Sequence, residues 1–538
     1  MKKLLLVICL LLISFPIVLP FFHNGYFPTH DGEWAVVRLA EMHREIKDLQ
    51  IPPRWSGYLN HGFGYPLFLF NYPLPYYVGE IFNLLGFGLV GSIKIIFILS
   101  VILSGLTMFL LGHKLWGKFG GLVSAIFYLY LPFRFVDLYV RGSIGEALAF
   151  IFYPLIFWLG INLLEKKTKL WVIATAISLA ALILTHNIMA ILFLPFWLIF
   201  IVLFSFKEKS FLSAIRYSEK SFAYSLSAAF LGLSLSAFFW LPALVEKQYV
   251  IVGHIPIANL WQNFVSIKQL ILPSWGYGLP GQVNAFSFQI GWVHLLGFIL
   301  CLFFLRKQKF IFLFLILAVF ISCILMLPIS YLFWHYTPLF STIDFPWRIL
   351  GILGFFVCFG IGGLVNSSIG KKIAVVLSVL VIIINFGYAK PAIYLDKGDG
   401  YYATNDATTT SFDELMPVWV KIKPTDRLDR AIFNYSNNIK NINLIKETSQ
   451  KLTLDLILKT DEEIYFNKIY FPNWGAKIDN QEATINYQND RGLISLAIPA
   501  GQHKIELSIH KTPVEGMGDI ISIVSLIIIL ILLLRKNK

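Results

Sequence analysis

Apolar runs of about twenty residues, separated by short polar stretches, recur along most of the chain. They lie near 4–22, 92–112, 119–133, 144–164, 170–184, 187–205, 222–244, 286–305, 309–328, 347–366, 371–388 and 518–534. About 20 helical residues cross a hydrocarbon core, where no backbone polar group can stay unpaired. The pattern therefore predicts about twelve spans. The first run follows Met1-Lys2-Lys3, as a signal peptide would, but ends in Phe15-Pro16 and Pro20-Phe21-Phe22 with no small-x-small cleavage site. It is read as a retained span. A further apolar stretch, 66–85, contains Asn71-Tyr72-Pro73-Leu74-Pro75-Tyr76-Tyr77. Its prolines remove helix hydrogen bonds, so a re-entrant or interfacial segment is expected there.

From about residue 390 the period changes to two, as in Lys451-Leu452-Thr453-Leu454-Asp455-Leu456 and Lys504-Ile505-Glu506-Leu507-Ser508-Ile509. Turn signals at Pro472-Asn473, Asp479-Asn480, Asn489-Asp490 and Pro499-Ala500-Gly501 separate these runs. Alternation with such punctuation predicts antiparallel strands. The expected fold is a polytopic α-helical membrane protein, with an antiparallel β-sandwich domain before the last span. The expected domains are a helical body over 1–389 with its first outer loop at 23–91, a sandwich over 390–515, and a final helix with a basic tail over 516–538.

Composition supports the membrane reading and orients it. Of the 538 residues, 57% are hydrophobic and 14% charged, and the mean hydropathy is +0.70. A soluble domain is roughly a quarter charged, so a soluble enzyme, a disordered chain and a secreted disulfide scaffold are excluded. Cys9, Cys301, Cys323 and Cys358 all sit in apolar runs, with no pair suited to a disulfide or a CxxC site. The net charge of +13 would suit nucleic acid if it were spread over one face. It is not. Lys114/Lys118, Lys166/Lys167/Lys169, Lys207/Lys209/Arg216/Lys220, Arg306/Lys307/Lys309, Lys371/Lys372 and the tail Arg535-Lys536-Asn537-Lys538 fall on one side if both termini are inside. By the positive-inside rule that side is cytoplasmic, and the sandwich is extracytoplasmic on a cell membrane. The basic excess then faces anionic inner-leaflet lipid, and nucleic acid drops out as a partner.

Polar residues at the expected outer surface form four groups. Thr29-His30-Asp31-Gly32-Glu33-Trp34 opens an amphipathic helix that ends at Pro52-Pro53. Asp31 stands where a helix N-cap is wanted; at the lipid–water boundary it also suits a general base or metal ligand. In Arg134-Phe135-Val136-Asp137-Leu138-Tyr139-Val140-Arg141-Gly142-Ser143-Ile144-Gly145-Glu146, helical spacing predicts mutual ion pairing of Arg134, Asp137 and Arg141. Glu146, at the mouth of a span, is costly there and reads as functional. Thr185-His186-Asn187 makes a tight turn, and Asp344-Phe345-Pro346-Trp347-Arg348 opens another span. Arg348 suits snorkelling and Trp347 an interfacial anchor. Gathered at one surface, two acids, several arginines and a histidine suit a phosphate-bearing lipid, because arginine grips phosphate as a fork and a carboxylate can deprotonate a hydroxyl. No GxxxxGK[ST] nucleotide loop, HExxH or GxSxG motif occurs, and His23, His30, His43 and His61 match no metal spacing.

With these pieces the sequence resembles the glycosyltransferase-C (GT-C) superfamily of large membrane enzymes. His30-Asp31-Gly32-Glu33, Arg141-Gly142-Ser143-Ile144-Gly145-Glu146, Thr185-His186-Asn187 and Phe345-Pro346-Trp347-Arg348 resemble the family of membrane proteins labelled 6-pyruvoyl-tetrahydropterin synthase-related. Tyr470-Phe471-Pro472-Asn473-Trp474-Gly475-Ala476-Lys477-Ile478-Asp479 and Ile498-Pro499-Ala500-Gly501-Gln502-His503 are similar to the C-terminal β-module of GT-C-like proteins. The resemblance implies a membrane glycosyltransferase using a polyprenyl-phosphate-linked sugar for a cell-envelope acceptor. It makes Asp31 the catalytic base and Asp137 or Glu146 a second acidic group, a ligand for a divalent metal ion or a binder of the acceptor, with Glu146 the candidate for catalysis and Asp137 the candidate metal ligand. Arg141, His186 and Arg348 would hold lipid phosphate, with Glu33 and Asn187 also binding substrate. The chain departs from the superfamily in lacking a clear, separate second acidic motif in 134–143. Two other classes stand beside this one. A transporter or flippase of lipid-linked saccharides needs ionisable residues in mid-span, and the runs 170–184 and 187–205 carry none. A non-catalytic glycan-binding envelope protein would stack sugars on Trp419, Tyr470 or Trp474, although Trp474 reads better as sandwich core.

Overall fold

The computed structural model describes residues 2–205, 211–337, 343–410, 412–428, 431–434 and 436–534, with only the backbone at 2–5, 205 and 211–221. Met1, Lys207, Lys209 and the Arg535–Lys538 tail, on which the orientation partly rests, lie outside the described residues. So do the side chains of Lys2, Lys3, Arg216 and Lys220.

Among the described residues, seven helices are long and apolar enough to cross a membrane, or eight if one bent pair counts as a span. The bent pair, Phe222–Leu235 and Ala237–Tyr249, turns by 69° within the run expected to be one span. Three apolar helices are shorter: Leu6–Phe22, Lys169–Thr185 and Trp292–Leu305. The continuous helical stretch Gly88–Leu129 holds two of the expected spans, because Gly117 adopts φ 73° and ψ 179° and reverses the chain. A side chain would resist that conformation. The two limbs then press together where Gly112 meets Gly121, small residues that let backbones approach closely.

The proline-rich stretch forms two short helices, Leu67–Phe70 and Leu74–Phe82, and a turn containing Gly86 at φ 92°. Nine residues rise only about 14 Å, far short of a bilayer core. Ile81, Leu84, Leu85 and Phe87 leave it with an exposed apolar edge, which suits the expected interfacial placement.

Seven strands follow, all paired antiparallel. β1 (Ile439–Thr448), β2 (Lys451–Leu458), β7 (Gly501–Ile509), β4 (Trp474–Ile478) and β5 (Gln481–Ala483) form one sheet in the order β1-β2-β7-β4-β5. β3 (Glu462–Ile469) and β6 (Leu493–Ile498) form the other. Leu452, Leu454, Leu456, Ile464, Phe466, Leu496, Ile505 and Leu507 are buried between them, as period two requires. Asp479 and Asn480 take left-handed conformations in the two-residue β4–β5 turn. Trp474 lies in this core.

The strands fill only the latter part of 390–515. Among the described residues of 390–438 there is one short helix, Asp399–Ala403. Much of this segment forms a strap over the first loop. Leu395 N–H bonds Tyr26 O at 3.2 Å, the Asp399 carboxylate accepts from Leu89 and Val90 N–H at 2.9 Å each, and His61 N–H bonds Asp406 O at 2.8 Å. The sandwich rests on the same loop through Trp55, which packs against Phe471 and Trp474. Asp48 carboxylate accepts from Ser449 N–H at 2.6 Å.

Candidate active site

Three helices begin at one place on the sandwich side: Ile144–Lys166, Asn187–Ser205 and Ile349–Ile361. Helix starts carry partial positive charge and unpaired N–H groups, so this corner favours anions. Glu146 lies in the first turn of the first of them, almost wholly buried.

Its carboxylate is gripped by Arg141, whose Nη1 donates to Oε2 at 2.6 Å and Nη2 to Oε1 at 2.8 Å. Arg141 Nη1 also donates to Asp137 Oδ1 at 2.6 Å. Arg348 Nε stands 3.0 Å from Glu146 Oε1, at ion-pair distance but without hydrogen-bond alignment. His186 Nε2 lies 3.8 Å from the same oxygen. The Arg141 guanidinium covers the Trp347 ring at 4.6 Å. Trp347 is itself buried and donates to Asn263 Oδ1 at 3.2 Å, so it is a packing residue and not the expected interfacial anchor.

Asp31 joins this group through the backbone. His30 N–H bonds Val140 O at 3.0 Å and Asp31 N–H bonds Arg141 O at 2.7 Å, so the turn before helix Gly32–Lys47 is fastened to the Arg141 turn. Gly142, at φ 62°, makes the fit possible, since a Cβ there would collide with Thr29 Oγ1 and the Gly32 backbone. The expected capping by Asp31 is not made. Thr29 Oγ1 accepts from Gly32 N–H at 2.9 Å, and the Asp31 side chain makes no cap bond. Its charge instead bears on Arg141, Arg38 and Tyr72.

Charge states follow from burial and neighbours. Burial, reinforced by the charge of Glu146, pushes the Asp137 carboxyl well above its ordinary range against the pull of Arg141. Burial disfavours a charged Arg141, yet Glu146 and Asp137 overcome it and hold the guanidinium above its usual value. In the turn between helices, burial lowers His186 to about 3, with Glu146 opposing and Arg348 and Arg141 assisting. His186 is thus neutral at ordinary pH. Its Nδ1 accepts from Met189 N–H at 3.3 Å, which assigns the proton to Nε2, facing Glu146.

Other expected residues stand apart from this network. Arg134 does not join the ion pairs; its Nε donates to Tyr128 O at 3.1 Å and its guanidinium lies over Phe150 at 4.3 Å. Glu33 faces Tyr402 on the strap, and burial raises its carboxyl above the ordinary range. Asn187 Oδ1 accepts from the neighbouring Ile188 N–H at 3.0 Å, and Asp344 accepts from Ile257 N–H at 2.8 Å.

Two residues of this corner were not expected. Tyr72 stacks on His186 with ring centroids 4.8 Å apart. Arg38, one of the polar residues that make helix Gly32–Lys47 amphipathic, donates from Nε to Thr409 Oγ1 at 3.2 Å and from Nη1 to Asn71 Oδ1 at 3.4 Å. Its position seven residues after Asp31, on the same helical face, was the available signal.

The arrangement does not fit a divalent metal at Asp137. The Arg141 guanidinium already bridges Asp137 and Glu146, filling the space between the two carboxylates with a cation. Among the described residues no group of three His, Cys, Asp or Glu is disposed to hold a metal ion.

The profile of a family described as "6-pyruvoyl-tetrahydropterin synthase related domain; membrane protein" matches residues 69–394, more than half of the chain. That span includes Tyr72, Asp137, Arg141, Glu146, His186 and Arg348; Asp31 precedes it. An uncharacterized protein of Lactococcus lactis subsp. cremoris is 27% identical over 244 residues, 44% of this chain and 39% of that protein's length. Among solved structures, the Archaeoglobus fulgidus oligosaccharyltransferase in its apo form is similar at 13% identity and TM-score 0.45, over 75% of this chain and 56% of that one. The arabinofuranosyltransferase AftD from Mycobacteria is similar at 13% identity and TM-score 0.43, over 72% and 26%.

Proposed function

We propose that this chain, which belongs to the 6-pyruvoyl-tetrahydropterin synthase-related family of membrane proteins, transfers a sugar from a polyprenyl-phosphate donor to a hydroxyl-bearing acceptor of the cell envelope. The reaction takes place on the extracytoplasmic side, where the sandwich lies. The observation that carries this reading is the Asp31 N–H to Arg141 O bond of 2.7 Å, which joins an uncapped carboxylate to the turn that anchors Glu146.

In this mechanism Asp31 accepts the proton of the acceptor hydroxyl as its oxygen bonds to the sugar C1. The C1–O bond to phosphate breaks, and the polyprenyl phosphate leaves with the bonding electrons. Arg348 stabilises the phosphate charge, because its guanidinium is the more accessible of the two beside Glu146, with 17% of the side chain exposed against 4% for Arg141. The neutral His186 donates from Nε2 to the same anion. Helix starts at Asn187 and Ile349 add positive potential. Arg141, fully engaged with Glu146 and Asp137, acts as a strut rather than a phosphate ligand. No step passes through a metal.

The test is transfer of labelled sugar from polyprenyl-phosphate donors by membranes carrying the wild type or Asp31→Asn. Loss of a general base should lower the rate by about a hundredfold or more. Full activity in the variant would overturn the role of Asp31.

A further inference from the structure

The first helix loosens at its sandwich-side end. Pro16 lies within Lys2–Val18 and Pro20 is the second residue of the following turn, Leu19–Phe22; neither has the N–H that would continue the first helix. Between this turn and the exit of helix Ser368–Asn385 runs an open groove of about 440 Å³, lined by Pro16, Leu19, Phe22, His23, Phe386 and Tyr394 among others. That volume falls within the range of small-molecule sites, about 300–1,000 Å³.

The groove is apolar where it faces the bilayer, and polar at one end. Leu19, Phe22 and Phe386 are at least half exposed, on helices whose other open faces are also apolar. At the polar end His23 stacks on Tyr394, with ring centroids 4.1 Å apart. Beside that end, outside the groove lining itself, Lys94 Nζ donates to the His23 carbonyl at 2.5 Å, which leaves two further N–H donors on the ammonium. Lys94 is the seventh residue of helix Gly88–Leu129, so it lies only about 9 Å below the helix start, at the boundary between headgroups and hydrocarbon. The Asp399 carboxylate accepts from the Leu89 and Val90 amides, and among the described residues no carboxylate lies within ion-pair distance of Lys94.

We propose that this groove binds one acyl chain of an anionic phospholipid from the leaflet on the sandwich side, with its phosphate paired to Lys94. The site is separate from the Asp31–Glu146 corner and does not depend on the glycosyl-transfer reading. Tyr139 forms a wall between the two: it contacts Phe21 and Phe27 at ring-centroid distances of 5.5 and 5.7 Å, and its hydroxyl donates to Ile17 O. The lipid would brace 386–395, whose end pairs with Tyr26, three residues before Thr29.

The full-length protein in nanodiscs, followed by native mass spectrometry with phosphatidylglycerol and phosphatidylcholine as probes, tests this. Wild type should retain one tightly held phosphatidylglycerol. Ala389→Trp, which fills the groove, should lose that copy. Lys94→Gln should lower the preference for phosphatidylglycerol about fivefold, as removal of one basic residue at a lipid surface implies. Retention of the wild-type lipid complement by both variants, each with an unchanged circular dichroism spectrum, would overturn the proposal. So would one-for-one displacement of phosphatidylglycerol by polyprenyl phosphate, which would make the groove a seat for the donor's chain.

Discussion

At the scale of single residues, Arg141 joins two buried carboxylates and an aromatic ring, and no other side chain type has that geometry. Lysine offers a point charge and cannot make the fork to Glu146 while reaching Asp137. Arg141→Lys should therefore cost about 3–5 kcal/mol, the usual penalty for breaking a buried ion pair, seen as a lower thermal midpoint in detergent. Asp137→Asn is expected to be mild, because an amide oxygen still accepts from Arg141 Nη1. The pH dependence has a definite sign. Burial first, and then Glu146, raise the Asp137 carboxyl in the folded state, so the native protein holds that proton more tightly than the unfolded chain. The associated stability is present at low pH and declines as pH rises from the ordinary carboxylate range through the raised folded value. Asp137→Asn should flatten this decline in a series of thermal unfolding curves; an unchanged slope would show that Asp137 is not its source. The chemistry at this scale was legible in part. Glu146, His186 and Arg348 stood out as polar groups at the mouths of apolar helices. The loss of the Asp31 cap to Thr29 was not legible, because both residues favour that role and only the tertiary fit of Gly142 decides between them.

At the scale of elements, the site depends on two tight turns that interlock. Gly142 holds a left-handed conformation against Thr29 and Gly32. Gly142→Ala should cost about 1–2 kcal/mol in backbone strain alone. The collision with Thr29 should also move the Asp31 turn, so sugar transfer is expected to fall more than thermal stability does. Equal losses in both would mean that the turn serves folding only. Helices and strands were readable because length and period are local properties: about twenty apolar residues, or alternation over eight. Gly117 shows the limit of that reading. Its reversal merges two expected spans into one helical stretch by hydrogen-bond pattern, yet the runs on either side are those the hydropathy gave. The pairing of residues 30–31 with 140–141 left no local signature, since it joins segments far apart in the chain. The strap over 390–413 was also missed, because its contacts are mostly single hydrogen bonds from an irregular backbone that has no period.

At the scale of the whole molecule, side-chain and backbone contacts join the sandwich to the first loop of the helical body. Trp55, nearly inaccessible, reaches from the first loop into the sandwich core, and its neighbour Arg54 pairs with Asp519 of the last helix at 2.8 Å. Trp55→Ala should cost about 3–5 kcal/mol, and it should split a single calorimetric transition into two as the sandwich uncouples. A single transition at lower temperature would instead mean that the remaining contacts suffice. The four cysteines carry a practical consequence. Cys301 and Cys358 are buried, Cys9 and Cys323 only partly accessible, and all four lie in apolar helices. The native protein is therefore close to a silent background for water-soluble thiol reagents, and reporter cysteines can be added without first removing the natural ones. Glu482 lies on the sandwich, and Lys118 on the opposite end of the helical body beside the Gly117 reversal. A membrane-impermeant maleimide applied to intact cells should label Glu482→Cys and spare Lys118→Cys until the cells are opened. The reverse pattern would turn the whole molecule over in its membrane, and the chemistry at Asp31 with it.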